Sequence, residues 1–296
     1  MAHQHHTRRL AGTEEALTIL FCLVDDAYAL LNPRARRYES LKRLADSEVI
    51  ALALFQQLRG VESERSFLRD AERFFSELFP GVVGLHPSSF HRRVRKLRRF
   101  LEPLRQEIVP ELVGDPETLL MDSTLLSVMH PRQVAQGSGF GGAAWVRWGT
   151  FSVYGLKLHL LCATNRVPVR YELTPANVAD LSLTQELLAE ANYLGEGLVR
   201  KVFGDLAYRS ESLEKELAEL GISLVTERAA QRHGVRQQIE IAFSSLKRIF
   251  GVGETLATTL TGLATRIAAK ITAYTYAFYI NRVLGRSQGR IKELWV

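Results

Sequence analysis

A change of hydrophobic period at Gly114-Asp115-Pro116 constrains this chain more than any other feature. From Glu14 to about Val113 apolar residues recur at helical spacing, and beyond the break they alternate as strands do. The first stretch predicts an all-helical domain. Within it Asp46-Ser47-Glu48 opens a helix running to Leu58, with Asp46 as the expected cap and Gly60 as the stop. Another helix is expected after His86-Pro87, capped by Ser88 or Ser89, through SFHRRVRKLRRFLEPL.

Past the break, TLLMDS (118–123) reads as a short apolar strand. FSVYGLKLHLLCAT and VPVRYELT form a hairpin turning near Asn165-Arg166, with Leu156, Leu158 and Leu160 on one face and Lys157 and His159 on the other. A helix over 181–194, a strand in LVRKVFGD (198–205), a helix over 211–220, the strand ISLVT and a helix from about Val235 to Phe250 follow. The order β-β-β-α-β-α-β-α predicts a mixed sheet with helices on its faces, an α/β domain. The glycine-rich GSGFGGAAWVRWG (137–149) is expected as a loop or a poorly ordered insertion. Gly137, Gly139 and Gly142 approximate a nucleotide fingerprint but lack its flanking strand and helix. Three regions result: 1–115 helical, 116–255 α/β, and 256–296 a C-terminal helix and tail expected to pack on the α/β domain.

Composition narrows the partners. With 296 residues and 46% hydrophobic content the chain can bury a core. A formal charge of +6 fits a polyanionic partner, although basic residues barely exceed acidic ones before residue 115. Cys22 and Cys162 are far apart and lack zinc-ligand spacing, which suits a reducing compartment. The N-terminus has no apolar signal region, so cytoplasmic residence is expected, and His3, His5 and His6 read as a tag-like or flexible end. Ile271 to Ile280 is too short to cross a bilayer and is expected as a core helix, so no membrane partner is expected.

Three acids carry the candidate chemistry. Asp122 ends the first strand and Asp205 the fourth; if those strands are neighbours, both carboxylates project from one sheet edge. In QQIEIAFSSLKRIF a buried stripe of Ile239, Ala242, Phe243, Leu246, Ile249 and Phe250 leaves Glu240, Ser244 and Lys247 along its flank. That helix can bring Glu240 to the aspartates. Gathered carboxylates would repel by roughly 4 kcal/mol per pair at an effective dielectric of about 20. Two Mg²⁺ or Mn²⁺ ions would offset this and suit phosphoryl transfer with no nucleophilic side chain. Taken singly, Asp122 and Asp205 read more readily as turn caps and Glu240 as a solvated helix residue, and the spacing of the set brings the two readings only level.

The stretches LADSEVIALALFQQLRG, SSFHRRVRKLRRFLEPL, TLLMDSTLLSV, YGLKLHLL, LTPANVADL, VFGDLAYRS and IEIAFSSLKRIFG run in order from about residue 44 to 251. In this series the chain resembles bacterial insertion-sequence transposases of the DDE type, most closely the insertion-sequence 982 family. The resemblance implies an RNase H-like catalytic domain preceded by a helix-turn-helix-like DNA-binding domain. It also implies metal-dependent strand cleavage and transfer at transposon ends by a multimer on DNA. By position it makes Asp122, Asp205 and Glu240 the catalytic, metal-binding triad. Relatives often read Gly-Asp-Lys-Gly-Tyr where this chain has Gly204-Asp205-Leu206-Ala207-Tyr208, which removes a basic DNA contact.

Double-stranded DNA, as transposon ends and target, is thus the expected partner, with a homodimer on DNA as the expected assembly. Arg92, Arg93, Arg95, Lys96, Arg98 and Arg99 would ring the exposed side of a helix packed through Phe90, Val94, Leu97 and Leu101. With the helix from Asp46 it would form the helix-turn-helix-like unit; the alternative is a solvated basic helix. Lys157 and His159 are candidates for the scissile phosphate, His159 reading equally as a satisfied sheet residue. Ser244 and Lys247 are candidates for backbone contact. Trp145 and Trp148, flanking Arg147, are candidates for base stacking, against anchoring the loop to the core. Asn177 and Asp180 read as turn and cap residues. Two other functions stay open at this point, a nuclease without strand transfer and a DNA-binding protein without turnover.

Overall fold

The computed structural model describes residues 2–34, 41–114, 116–135, 140–191, 199–226, 237–254 and 256–295. They fall into two compact units: Met1–Ile108 with Ile249–Gly251 and Thr261–Val296, and Val109–Arg248 with Val252–Leu260.

The first unit opens with α1 (Ala2–Leu31), so the segment expected as a flexible end is helical. α2 (Asp46–Leu58), α3 (Glu64–Phe75), a 3₁₀ turn at Pro80–Val82 and α4 (Pro87–Val113) follow. α2 starts where expected, but Asp46 does not cap it. Glu48 closes the first turn by accepting from the Ala45 amide at 2.6 Å. Asp46 instead meets Lys42 Nζ and Arg93 Nη2, each at 2.6 Å, because two charge-assisted bonds outweigh one amide. Burial works against ionisation of Asp46, yet Lys42 and Arg93 prevail and hold its carboxyl below the ordinary range. α4 begins at Pro87 rather than after a serine cap, with the Ser88 amide donating to His86 Nδ1 at 3.3 Å. α3 stands between α2 and α4 in this helical region.

The second unit is built on β1 (Thr118–Ser127), followed by the short α5 (Pro131–Ala135). β2 (Ala144–Trp148), β3 (Phe151–Ala163) and β4 (Pro168–Pro175) come next. A 3₁₀ turn (Asp180–Leu183) leads into α6 (Thr184–Ala191), then β5 (Lys201–Gly204), a 3₁₀ turn (Leu206–Tyr208), α7 (Glu211–Glu219), β6 (Ser223–Thr226) and α8 (Gln237–Arg248). The expected helix ends at 192–194 and 235–236 lie outside the described residues. Strand order is β2-β3-β1-β5-β6, with β4 also paired to β3. β1, β2 and β4 run antiparallel to β3, whereas β1, β5 and β6 are mutually parallel.

β2 overturns the expectation of a loop for residues 144–148, while 137–139 lie outside the described residues. Trp148 pairs with Phe151, so Gly149 and Thr150 alone make the turn, Gly149 at φ +60°. The alternation in AWVRW is a strand signal that the preceding glycines hid. Gly155 is required for a different reason. A Cβ there would stand 2.1 Å from the Leu126 carbonyl oxygen, so only glycine lets β3 lie against β1 at that point.

The sheet buries both faces. Leu119, Met121, Leu161 and Ala163 share a core with Leu188 of α6, Leu213 and Leu217 of α7, and Tyr208. Leu120, Asp122 and Thr124 alternate onto the opposite face, where Lys247 of α8 bonds Thr124 Oγ1 at 2.5 Å. α8 buries Ile239, Ala242, Phe243 and Leu246, the apolar stripe expected of it.

α9 (Leu260–Val283) returns to the first unit, which corrects its expected packing on the α/β domain. It is buried nearly all round from Ile267 to Phe278, and Thr272 Oγ1 donates to the Leu101 carbonyl of α4 at 3.2 Å. Its Lys270, 1% exposed, bonds Glu62 and the Phe250 carbonyl oxygen. Among the described residues no helix is long and apolar enough to cross a membrane.

Candidate active site

Parallel pairing aligns the two aspartates. The β1–β5 ladder ends with Leu120 opposite Phe203, and the same register carried two residues on sets Asp122 level with Asp205. Asp205 follows β5 directly, as expected, while Asp122 lies inside a β1 longer than anticipated. Each carboxylate is held by its own backbone. Asp122 Oδ1 accepts from the Ser123 amide and Asp205 Oδ1 from the Ala207 amide, both at 2.8 Å. Both are half-buried, as is Glu240 in the first turn of α8. Among the described residues no three His, Cys, Asp or Glu side chains converge closely enough to hold a metal.

The donor chemistry nonetheless fits a hard divalent cation, being carboxylate oxygen throughout. Negative potential is concentrated there. The buried Tyr208 hydroxyl has its pKa pushed well up, first by burial and then by the carboxylates of Asp180, Asp122 and Asp205. At the other end of α8, partial burial lowers the pKa of the Lys247 ammonium, with Asp122 opposing.

Behind β1, on the face away from Asp122, lies a polar layer. Asp180 Oδ1 accepts from Ser123 Oγ at 2.8 Å and stands 3.1 Å from Lys157 Nζ and 3.7 Å from His159 Nδ1. Lys157 also donates to the Val178 carbonyl at 2.8 Å, and His159 Nε2 lies 2.9 Å from Thr174 Oγ1. Burial lowers the His159 pKa to about 4, Asp180 opposing and Lys157 adding, so the ring is neutral at pH 7. Lys157 and His159 are 9% and 1% exposed, which corrects their expected role against phosphate and makes His159 the satisfied sheet residue. Asp180 does not cap: the residue before the 3₁₀ turn is Ala179. A signal for its true place existed, since a lysine on a buried strand face demands a counter-charge.

Residues 114–276, more than half of the chain, match the family described as "Transposase DDE domain". The chain belongs to that family. Its DDE domain is mixed α/β and RNase H-like, with a helical region before it. No curated protein matches the chain in sequence. Among solved structures it is similar to the piggyBac transposase in a synaptic complex with hairpin DNA, at 12% identity and TM-score 0.45, covering 94% of this chain and 79% of that one. It is also similar to the Mos1 transposase in a paired-end complex with the left transposon end, at 13% identity and TM-score 0.28, covering 80% and 78%. The Mos1 strand transfer complex gives 12% identity and TM-score 0.26, covering 80% and 77%.

Outside the DDE domain's acids the candidate DNA contacts divide. On α4, Arg92, Arg95, Lys96, Arg98 and Arg99 are exposed, while Phe90, Leu97 and Leu101 are buried. Arg93 is turned to Asp46 and is removed from the exposed set. Ser244 is half-buried on α8 and Lys247 is exposed. Trp145, 44% exposed, lies beside its cross-strand partner Tyr154 with ring centroids 5.2 Å apart. The side chain of Trp148 lies outside the described residues.

Proposed function

We propose that this chain is a transposase of the insertion-sequence type, nearest to the insertion-sequence 982 family, that cleaves DNA at terminal inverted repeats and joins the freed ends to target DNA. The observation that carries the reading is the parallel pairing of β1 with β5 inside a DDE domain, whose register, carried two residues past Leu120–Phe203, brings Asp122 on β1 level with Asp205 just after β5. Asp122, Asp205 and Glu240 would hold Mg²⁺ or Mn²⁺. Bound there, two such ions would lower the pKa of a water nucleophile and stabilise the attacking and leaving oxygens of an in-line displacement.

The chain's own residues supply the rest. Backbone amides fix one oxygen of each aspartate, which limits their rotation before substrate arrives. Lys247, exposed and bonded to Thr124, would contact the DNA backbone near the acids, with Ser244 one turn away on α8 as a second contact. Water attacking the scissile phosphorus displaces a 3′-oxygen, which leaves as a free 3′-hydroxyl; in the joining step that hydroxyl attacks a target phosphodiester and displaces the 3′-oxygen of the target strand. The exposed cations of α4 would neutralise phosphates at the transposon end. Assembly as a homodimer on DNA belongs to the same proposal.

The test uses duplexes carrying the inverted repeats that flank the reading frame, with Mg²⁺ present. The wild-type protein is expected to give cleaved and joined products, and Asp122→Asn to slow both by about a thousandfold or more. Unchanged cleavage by Asp122→Asn would sink the mechanism, and cutting of unrelated duplex without joining would favour a plain nuclease.

A further inference from the structure

We infer that Asp180 is a positioning residue of this site: it neutralises Lys157 and holds Ser123 behind β1, so that the Asp122–Asp205 pair keeps its attraction for a divalent cation. The inference rests on the metal reading proposed above.

Lys157 is a nearly buried cation on β3, the strand paired with β1. Its ammonium meets the Val178 carbonyl at 2.8 Å and Asp180 at 3.1 Å, and of these only Asp180 carries charge. His159, the other basic side chain of the layer, is neutral at pH 7 and cannot share the balance. Asp180, Asp122 and Asp205 all act on the one Tyr208 hydroxyl, so the three carboxylates and Lys157 occupy one electrostatic neighbourhood. A charge lost from Asp180 would leave the Lys157 ammonium unopposed behind the aspartates, where it competes directly with an incoming cation.

The same carboxylate acts through geometry. Ser123 follows Asp122 on β1, and its hydroxyl donates to Asp180 at 2.8 Å, tying the strand from behind at the register of the candidate ligand. The Tyr208 hydroxyl lies beside Ser123, 1% exposed, and meets no partner at full hydrogen-bonding geometry. The polar layer behind β1 is therefore organised around Asp180 and not around the tyrosine.

Mn²⁺ binding to the DNA-free, full-length protein, followed by titration calorimetry, tests this without any catalytic readout. Asp180→Asn is expected to weaken Mn²⁺ roughly tenfold, as an uncompensated nearby charge should. The double variant Asp180→Asn/Lys157→Met, in which the charge is balanced again, is expected to return within about twofold of wild type. Lys157→Met alone is expected to bind Mn²⁺ at least as tightly as wild type, which keeps the test usable should Asp180→Asn fail to fold. An Asp180→Asn protein that binds like wild type overturns the inference, as does a loss that Lys157→Met does not rescue, or a tenfold loss in Lys157→Met alone. A wild-type protein that binds no Mn²⁺ overturns the metal reading and this inference with it.

Discussion

At the scale of single residues, what a charge does here depends on which partner reaches it. Arg93 and Arg95 are near neighbours in the most basic run of the chain, yet Arg93 is spent on Asp46 while Arg95 is exposed. Arg93→Ala is expected to cost about 1 to 2 kcal/mol in urea unfolding, whereas Arg95→Ala should cost no more than about 0.5 kcal/mol. DNA binding should rank them the other way. Replacing Arg92, Arg95 and Lys96 together by Ala is expected to reduce the slope of log K against log salt by about 3, and an unchanged slope would remove α4 from the interface. His159 yields a prediction in pH. Its folded pKa of about 4 lies below the ordinary 6.5, so the unfolded chain binds the proton more readily between those values. The fold should lose up to about 3 kcal/mol from this group as pH falls from 6.5 towards 4, with no contribution above 6.5. His159→Gln should flatten that part of the stability–pH curve relative to wild type.

At the scale of elements, the sheet depends on a close approach at Gly155 that a side chain would block. Gly155→Ala is expected to destabilise the α/β unit by about 3 kcal/mol, since the new methyl would meet the Leu126 backbone and not a movable side chain. Thermal melts with and without the change check this, and a wild-type melting temperature would mean that β3 does not run so close to β1. Most elements were legible along the chain because their signals are local. The β3–β4 hairpin turns where Asn165-Arg166 suggested, with Arg166 at φ 76°, and α8 buries the stripe its period demanded. β2 was not legible, because its few alternating residues stand behind glycines and gain a strand's bonds only from β3. The Asp46 cap failed for a related reason: local capping lost to an arginine far along the chain.

At the scale of the whole molecule, α9 packs with the helices that begin the chain. Lys270 is the clearest test of that arrangement, because it joins α9 to Glu62 in the α2–α3 connection. Lys270→Ala would leave Glu62 without this cation and empty a buried site, and is expected to cost about 3 kcal/mol in guanidinium unfolding. A cost under about 0.5 kcal/mol would contradict the packing. The chain by itself determined the change from helical to strand period, the order of elements and the motifs holding Asp122, Asp205 and Glu240, since each is written in neighbouring residues. Only the tertiary structure decided that Asp122 stands level with Asp205, that Lys157 and His159 turn inward to Asp180, that Arg93 is withdrawn from the basic surface and that α9 joins the first unit. Those outcomes depend on which distant segment packs opposite, and burial then makes a buried charge take the nearest counter-charge, whatever its place in the chain.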